Sequence, residues 1–273
     1  MSESLNELIR VFEELWPLSG AEDWDAPGLV SGSLGQPVTR VLLTVDVTHD
    51  IIAEAEDGGF DLVLSHHPLL LKGVKTISES TSKGSILARC IRSNIAIYGA
   101  HTNADIVESG VSDVLARALG LGSLTPLVPT LNPGEGHGRI GVLESPVTLG
   151  NFARLAARIL PSTASGIRVS GDFDQVIQRV AVCGGAGDSF IDAAIDAGVD
   201  VYLTSDLRHH PVQEARELSQ LASGGPAFID VAHWAGEWLW LEVAAAQLAK
   251  RFDKVQFVVS HLRTDPWDFV VNQ

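Results

Sequence analysis

Apolar residues at Leu5, Leu8, Ile9, Phe12 and Leu15 recur at the three-to-four-residue spacing of one helix face. Ser4 and Glu7 stand where a capping box closes a first turn, and Pro17 and Gly20 end the run. A turn-rich stretch follows over 22–37, and then the pattern alternates. Residues 38–47, 60–68 and 94–102 read as short apolar strands, the second stopped by Pro68, whereas 49–59, 82–94 and 109–120 carry helical spacing. The stretch 121–138 is rich in proline and glycine and reads as a connection between halves. Beyond it, strands are expected at 139–144, 167–171, 178–185, 200–206, 226–233 and 254–261. Helices are expected at 148–160, 189–198, 211–222 and about 235–251. Strand and helix in alternation mean βαβ units and an α/β fold with mostly parallel sheets. Two domains are expected, 1–125 and 126–273, with the last segment returning to complete a site on the first.

Composition narrows the picture. With 45% hydrophobic and 19% charged residues, the 273-residue chain has enough apolar material for a sizeable core. The net charge of −15 makes nucleic acid a poor partner and favours divalent cations. Cys90 and Cys183 lie apart in apolar stretches, as buried small hydrophobes rather than a metal knuckle or a disulfide pair. No apolar run approaches the roughly 20 residues of a membrane span. The polar start, MSESLNELIR, lacks a signal-peptide pattern, so a cytoplasmic protein is expected.

In open parallel sheets, ligands bind beyond the carboxyl ends of the strands. Three expected strands end there in metal-ligand chemistry: His66-His67-Pro68, His101 with Asp105, and His233 with Glu237. Successive side chains on a regular strand point to opposite faces, so His66 and His67 would diverge and not easily share one ion; at an end broken by Pro68 they can splay around a cleft, which suits two neighbouring ions, one each. The pairs His101/Asp105 and His233/Glu237 are four residues apart and share a face if a helical turn follows each strand. Imidazole with carboxylate suits zinc, iron, manganese, nickel or cobalt. A lone histidine is usually an ordinary surface or core residue; six such donors at strand ends form a pattern.

With those segments in hand, the chain resembles the family known as GTP cyclohydrolase I type 2 homologues, YbgI-like dinuclear-metal-centre proteins. The matching residues are Asp23-Trp24-Asp25-Ala26-Pro27-Gly28-Leu29, the segments DLVLSHHP (61–68) and AHTNAD (100–105), Gly110-Val111-Ser112-Asp113, RVAVCGG (179–185), DVYLTSD (200–206) and the stretch 230–237. The resemblance covers nearly the whole chain. It implies two α/β domains facing each other across a metal cleft, and a homo-hexamer. It also implies two divalent ions held by His66, His67, Asp105, His233 and Glu237, with Glu237 touching both and His101 a ligand or an orienting partner. Ala26, where relatives often have Asn, and the AHWAGE run around His233 depart from the family pattern without removing a ligand.

The expected function is a dinuclear-metal hydrolase, opening the guanine ring of GTP or cleaving nucleotides and phosphoesters, with a small-molecule substrate. Two ions activate a shared water, and Glu237, His101 and His210 are the catalytic candidates. The alternative is a carrier, chaperone or regulatory scaffold using the same ligands without catalysis. Asp206 and His210 face the site by resemblance, or Asp206 caps a helix. Asp46 orients a ligand imidazole or closes a turn. Trp24 and Asp25 line the mouth or pack on a domain face. The Gly184-Gly185-Ala186-Gly187 turn cradles a phosphate or is a plain turn. His49, His137, His209 and His261 read as ordinary residues.

Overall fold

Ser4 caps the first helix as its sequence requires. Its hydroxyl accepts the Glu7 N–H at 3.3 Å, and the Glu7 carboxylate accepts the Ser4 N–H at 2.9 Å. In the computed structural model, which describes residues 2–221 and 224–271, the strands in chain order are β1 (Glu3–Ser4), β2 (Gly28–Ser31), β3 (Pro37–Val38), β4 (Arg40–Thr44), β5 (Leu62–Ser65), β6 (Ala96–Gly99), β7 (Leu121–Pro129), β8 (Gly136–Thr148), β9 (Arg168–Ser170), β10 (Val176–Ala186), β11 (Val201–Ser205), β12 (Ala227–Val231) and β13 (Gln256–Val259). The α-helices are α1 (Leu5–Leu15), α2 (His49–Asp57), α3 (Ser82–Arg92), α4 (Thr102–Asp105), α5 (Val111–Ala118), α6 (Leu149–Ile159), α7 (Ile191–Asp196), α8 (His209–Leu221) and α9 (His233–Ala249). The expected end of α8 at Ala222 lies outside the described residues.

The chain forms two compact units, 1–104 with 241–264 and 105–240 with 265–273. In the first, five strands run in the order β13-β4-β5-β6-β2. Three of the four pairings are parallel, and only β2 is antiparallel, on the edge. Apolar faces of α2 (Ile51, Ile52, Ala55) and α3 (Ile86, Leu87, Cys90) bury Leu42, Val63 and Ile97 of one sheet face. The parallel ladder ends on one rung, Thr44–Ser65–Gly99. Asp46, His66, His67 and His101 therefore all emerge from the same end of the sheet.

In the second unit, six strands run in the order β7-β8-β10-β11-β12-β9. The central strands β10, β11 and β12 are parallel, and the outer pairings are antiparallel. Tyr202, Phe228 and Ala181 pack with Ile191 and Ala194 of α7 and Ala215 of α8. The rung Ala186–Ser205–Val231 closes the parallel part, and Asp206 and His233 follow it. The fold is mixed α/β with mostly parallel segments, as the sequence pattern implies.

One expectation differs. Residues 121–138 are not a connection: β7 pairs with β8 as an antiparallel hairpin. Pro126 and Pro129 sit on β7, an edge strand, which tolerates proline because only one of its sides carries a ladder. A break at 125/126 would cut this strand. Instead the chain passes between units after Ala104 and returns within α9. Among the described residues, no helix is long and apolar enough to cross a membrane.

Candidate metal centre

Three backbone bonds extend the first sheet past its last rung: His66 N–H to Thr44 O (2.9 Å), His67 N–H to Val45 O (2.8 Å) and Ala100 N–H to Ser65 O (2.9 Å). The Ser65 hydroxyl donates to the His67 carbonyl at 2.8 Å, turning the chain out of its pleat. The divergence that a regular strand would impose on His66 and His67 is thereby lost. Their ring centroids lie 5.1 Å apart, and those of His66–His101 and His67–His101 lie 5.2 and 5.4 Å apart. One ring nitrogen of each lies within 4.8 Å of the others, a spacing that an ion at about 2.0–2.1 Å from each nitrogen would tighten.

Each of these rings is held by its Nδ1. His66 Nδ1 donates to the Ala100 carbonyl at 2.8 Å, His67 Nδ1 meets Asp46 Oδ1 at 2.8 Å, and His101 Nδ1 meets Asp25 Oδ1 at 2.7 Å. A carbonyl only accepts, so His66 carries its proton on Nδ1 and its lone pair on Nε2. Carboxylates impose the same tautomer on the other two. This is how a protein prepares imidazoles for a cation. Burial alone would raise the Asp25 carboxyl, but hydrogen bonds from His101 and Thr102 outweigh it and hold the group at about 2. Asp25 is thus a fixed anion. Trp24 stays exposed, its ring edge-on to His101 at 5.8 Å.

The second unit builds its own set. His233 opens α9, two residues earlier than the pattern suggested, so His233 and Glu237 share the first turn. His233 Nε2 lies 2.9 Å from Glu237 Oε1, and Nδ1 lies 2.7 Å from Asp206 Oδ2. Burial disfavours charge on His233, but the Glu237 and Asp206 carboxylates prevail and push it up to about 11. Two carboxylates around one imidazole want a positive charge, and imidazole with carboxylate oxygen suits a divalent transition ion. Asp206 holds this contact from a left-handed backbone, φ +57°, at the end of β11.

Asp105 closes the short helix α4 and is half-buried. Burial pushes the Cys183 thiol up to about 12, with the charges of Asp105 and Glu237 adding to it. Burial likewise raises Cys90 to about 11. Both stay protonated near pH 7 and are not thiolate ligands. His210 is exposed near the start of α8, its ring edge-on to His209 at 5.2 Å. In the glycine turn, at φ +73°, Gly185 makes room for the Glu237 carboxylate.

The sequence pattern leaves Asp46 open between orienting an imidazole and closing a turn, and Asp206 between facing the site and capping a helix; it gives Asp25 no orienting role. Asp206→Asn keeps the side-chain shape and tolerates positive φ but removes the charge opposite His233. It is expected to weaken metal binding by roughly tenfold, read by competition with a chromophoric chelator. Unchanged affinity would show that His233 needs no charged anchor.

Comparison with known proteins identifies the family and the fold. The model of the family described as Duf34/NIF3 (NGG1p interacting factor 3) matches residues 3–266. A Streptomyces coelicolor protein named GTP cyclohydrolase 1 type 2 homolog is 47% identical over 270 residues, covering 96% of this chain and 93% of its own. A Bacillus cereus protein related to NIF3 superposes with a TM-score of 0.91 at 27% identity, covering 99% of this chain and 100% of its own. The protein ybgI superposes with a TM-score of 0.84 at 25% identity, over 96% and 100% of the two chains.

Proposed function

Because the chain belongs to the Duf34/NIF3 family, we propose that it is a dinuclear-metal-dependent hydrolase acting on nucleotides or related phosphoesters. In this reading His66, His67, His101, Asp105, His233 and Glu237 hold two divalent ions of zinc, iron, manganese, nickel or cobalt. The observation that carries it is the shared arrangement of four imidazoles. His66, His67, His101 and His233 are each anchored through Nδ1 by an oxygen acceptor; in the first three this leaves the lone pair on Nε2, and at His233 an ion would replace the Nε2 proton that meets Glu237.

Bound ions would supply the Lewis acidity that makes water a nucleophile near neutral pH. The chain's own residues do the rest. Asp25, Asp46 and Asp206 fix ring orientation and tautomer. Glu237, buried at 3% exposure, brings negative charge where a cation is to be held. His101 adds a ring edge to the imidazole cluster, and His210, exposed to solvent, passes protons to bulk water. The name of the Streptomyces relative puts GTP first among substrates to try.

The test is metal analysis of protein purified without added metal, followed by a screen of GTP, other nucleotides and phosphoesters. Wild type is expected to carry close to two ions per chain and to turn over at least one substrate. Glu237→Ala is expected to lose both. Full metal content in that variant would remove Glu237 from the ligand set. Retained metal in wild type without turnover would make the protein a carrier or scaffold rather than an enzyme.

A further inference from the structure

Basic side chains are the minority on this chain, 19 against 34 acidic ones. Three of them, Arg168, Arg208 and Arg216, nevertheless line one cavity of about 430 Å³ in the second unit. Its walls are β9, the segment after β11 and the first turns of α8. Val169, Leu207 and Val212 give it an apolar side above the buried ring of Phe228. Two of the guanidiniums are fixed in place: Arg168 Nε donates to Asp230 Oδ2 at 2.9 Å, and Arg208 Nε to Asp188 Oδ2 at 2.8 Å. Asp230 also accepts the Leu207 N–H at 3.0 Å, so its charge is already engaged. Arg216 has no ion pair among the described residues. Glu217, also on the rim, is exposed to water.

A further observation points to a ligand. Ser170 lines the cavity, and its hydroxyl is buried with no hydrogen-bond partner among the described residues. Buried hydroxyls are nearly always paired, so an orphan beside arginines calls for an acceptor from outside the chain. The volume lies near the lower end for small-molecule sites, about 300–1,000 Å³.

We propose that this cavity binds a small organic anion: a phosphate or carboxylate joined to a flat apolar ring, of nucleoside-monophosphate size. Arg216 and His209 meet the charged group, and the Ser170 hydroxyl donates to it. The ring lies along Val169, Leu207 and Val212. Arg216 carries no competing ion pair among the described residues, and its hydrogen bonds to an anion are charge-assisted. The proposal does not depend on the metal reading, because none of the proposed ligands lines the cavity.

The test is calorimetric titration of the full chain with AMP, adenosine and inorganic phosphate, each with and without EDTA. AMP is expected to bind saturably in both conditions, and adenosine and phosphate at least about tenfold more weakly. Arg216→Glu, on an exposed helix position that leaves the fold intact by circular dichroism, is expected to weaken AMP at least about tenfold. Three outcomes overturn the proposal. They are no saturation at millimolar AMP, equal affinity in Arg216→Glu, or binding that disappears with EDTA and so belongs to bound metal.

Discussion

Arg139→Ala is expected to destabilise the second unit by about 3–5 kcal/mol, the cost of breaking a buried ion pair from one side. Arg139 lies in β8 with 2% of its side chain exposed. Burial lowers its pKa, and the Asp113 carboxylate, 3.4 Å from Nε, opposes that shift. The rest of the guanidinium is taken up by backbone. Nη1 donates to the carbonyls of Gly136 and Gly138 at 2.6 and 2.8 Å, and Nη2 to those of Ile106 and Val107 at 3.0 and 2.7 Å. Removing it takes a donor from four buried carbonyls and one carboxylate; Ile106 and Val107 keep the Gly136 and Gly110 N–H groups and Asp113 keeps Arg117, so the cost falls mainly on the lost buried charge pairing and the carbonyls of Gly136 and Gly138. Ile106 and Val107 follow Asp105 directly, so the segment presenting that proposed ligand loosens as well. Urea unfolding monitored by tryptophan fluorescence gives the stability, and a chelator competition gives the metal. Arg139→Lys keeps the charge but cannot span all the acceptors, and should fall between. A loss below 1 kcal/mol in the alanine variant would mean that the carbonyls find water, and the cluster would be incidental.

The sequence made this chemistry visible where it is local. His66 and His67 stand before Pro68, and His101 and His233 follow apolar runs, so their place at strand ends could be read from pattern alone. The i,i+4 spacing of His233 and Glu237 became a contact because α9 starts at His233. What stayed hidden depends on residues far apart in the chain. Asp25 reaches His101 across 76 positions, and Asp46 reaches His67 across 21. No periodicity marks such pairs. A regular strand would turn His66 away from His67; Pro68 marks the break at which the two can splay around a cleft instead, but the hydroxyl of Ser65 that turns the chain there carries no mark in the pattern. The prolines of 121–138 read as a linker because proline is excluded only from central strands, and an edge strand cannot be told from a loop by composition.

Gly185→Ala is expected to weaken metal binding at the His233–Glu237 set by roughly 10–100-fold, the scale seen when a partner that orients a ligand is lost. Gly185 is the second-last residue of β10 and lies against the start of α9. A methyl group built on it would sit 2.5 Å from Glu237 Oε1 and 3.5 Å from His233 Nε2. Glu237 is buried, so its carboxylate must swing away from His233, breaking the 2.9 Å contact that brings the two donors together. The backbone adds its own cost, because φ of +73° is left-handed and a Cβ there costs about 1–2 kcal/mol. The two effects can be separated. Gly198 has φ +62°, with open space around the position a Cβ would take. Gly198→Ala therefore carries the same backbone penalty with no steric clash, and is expected to lower stability without changing metal affinity. If both alanine variants lose metal equally, the loss comes from backbone strain in the second unit. If Gly185→Ala binds metal as wild type does, Glu237 has room to reposition and the glycine is not what places it.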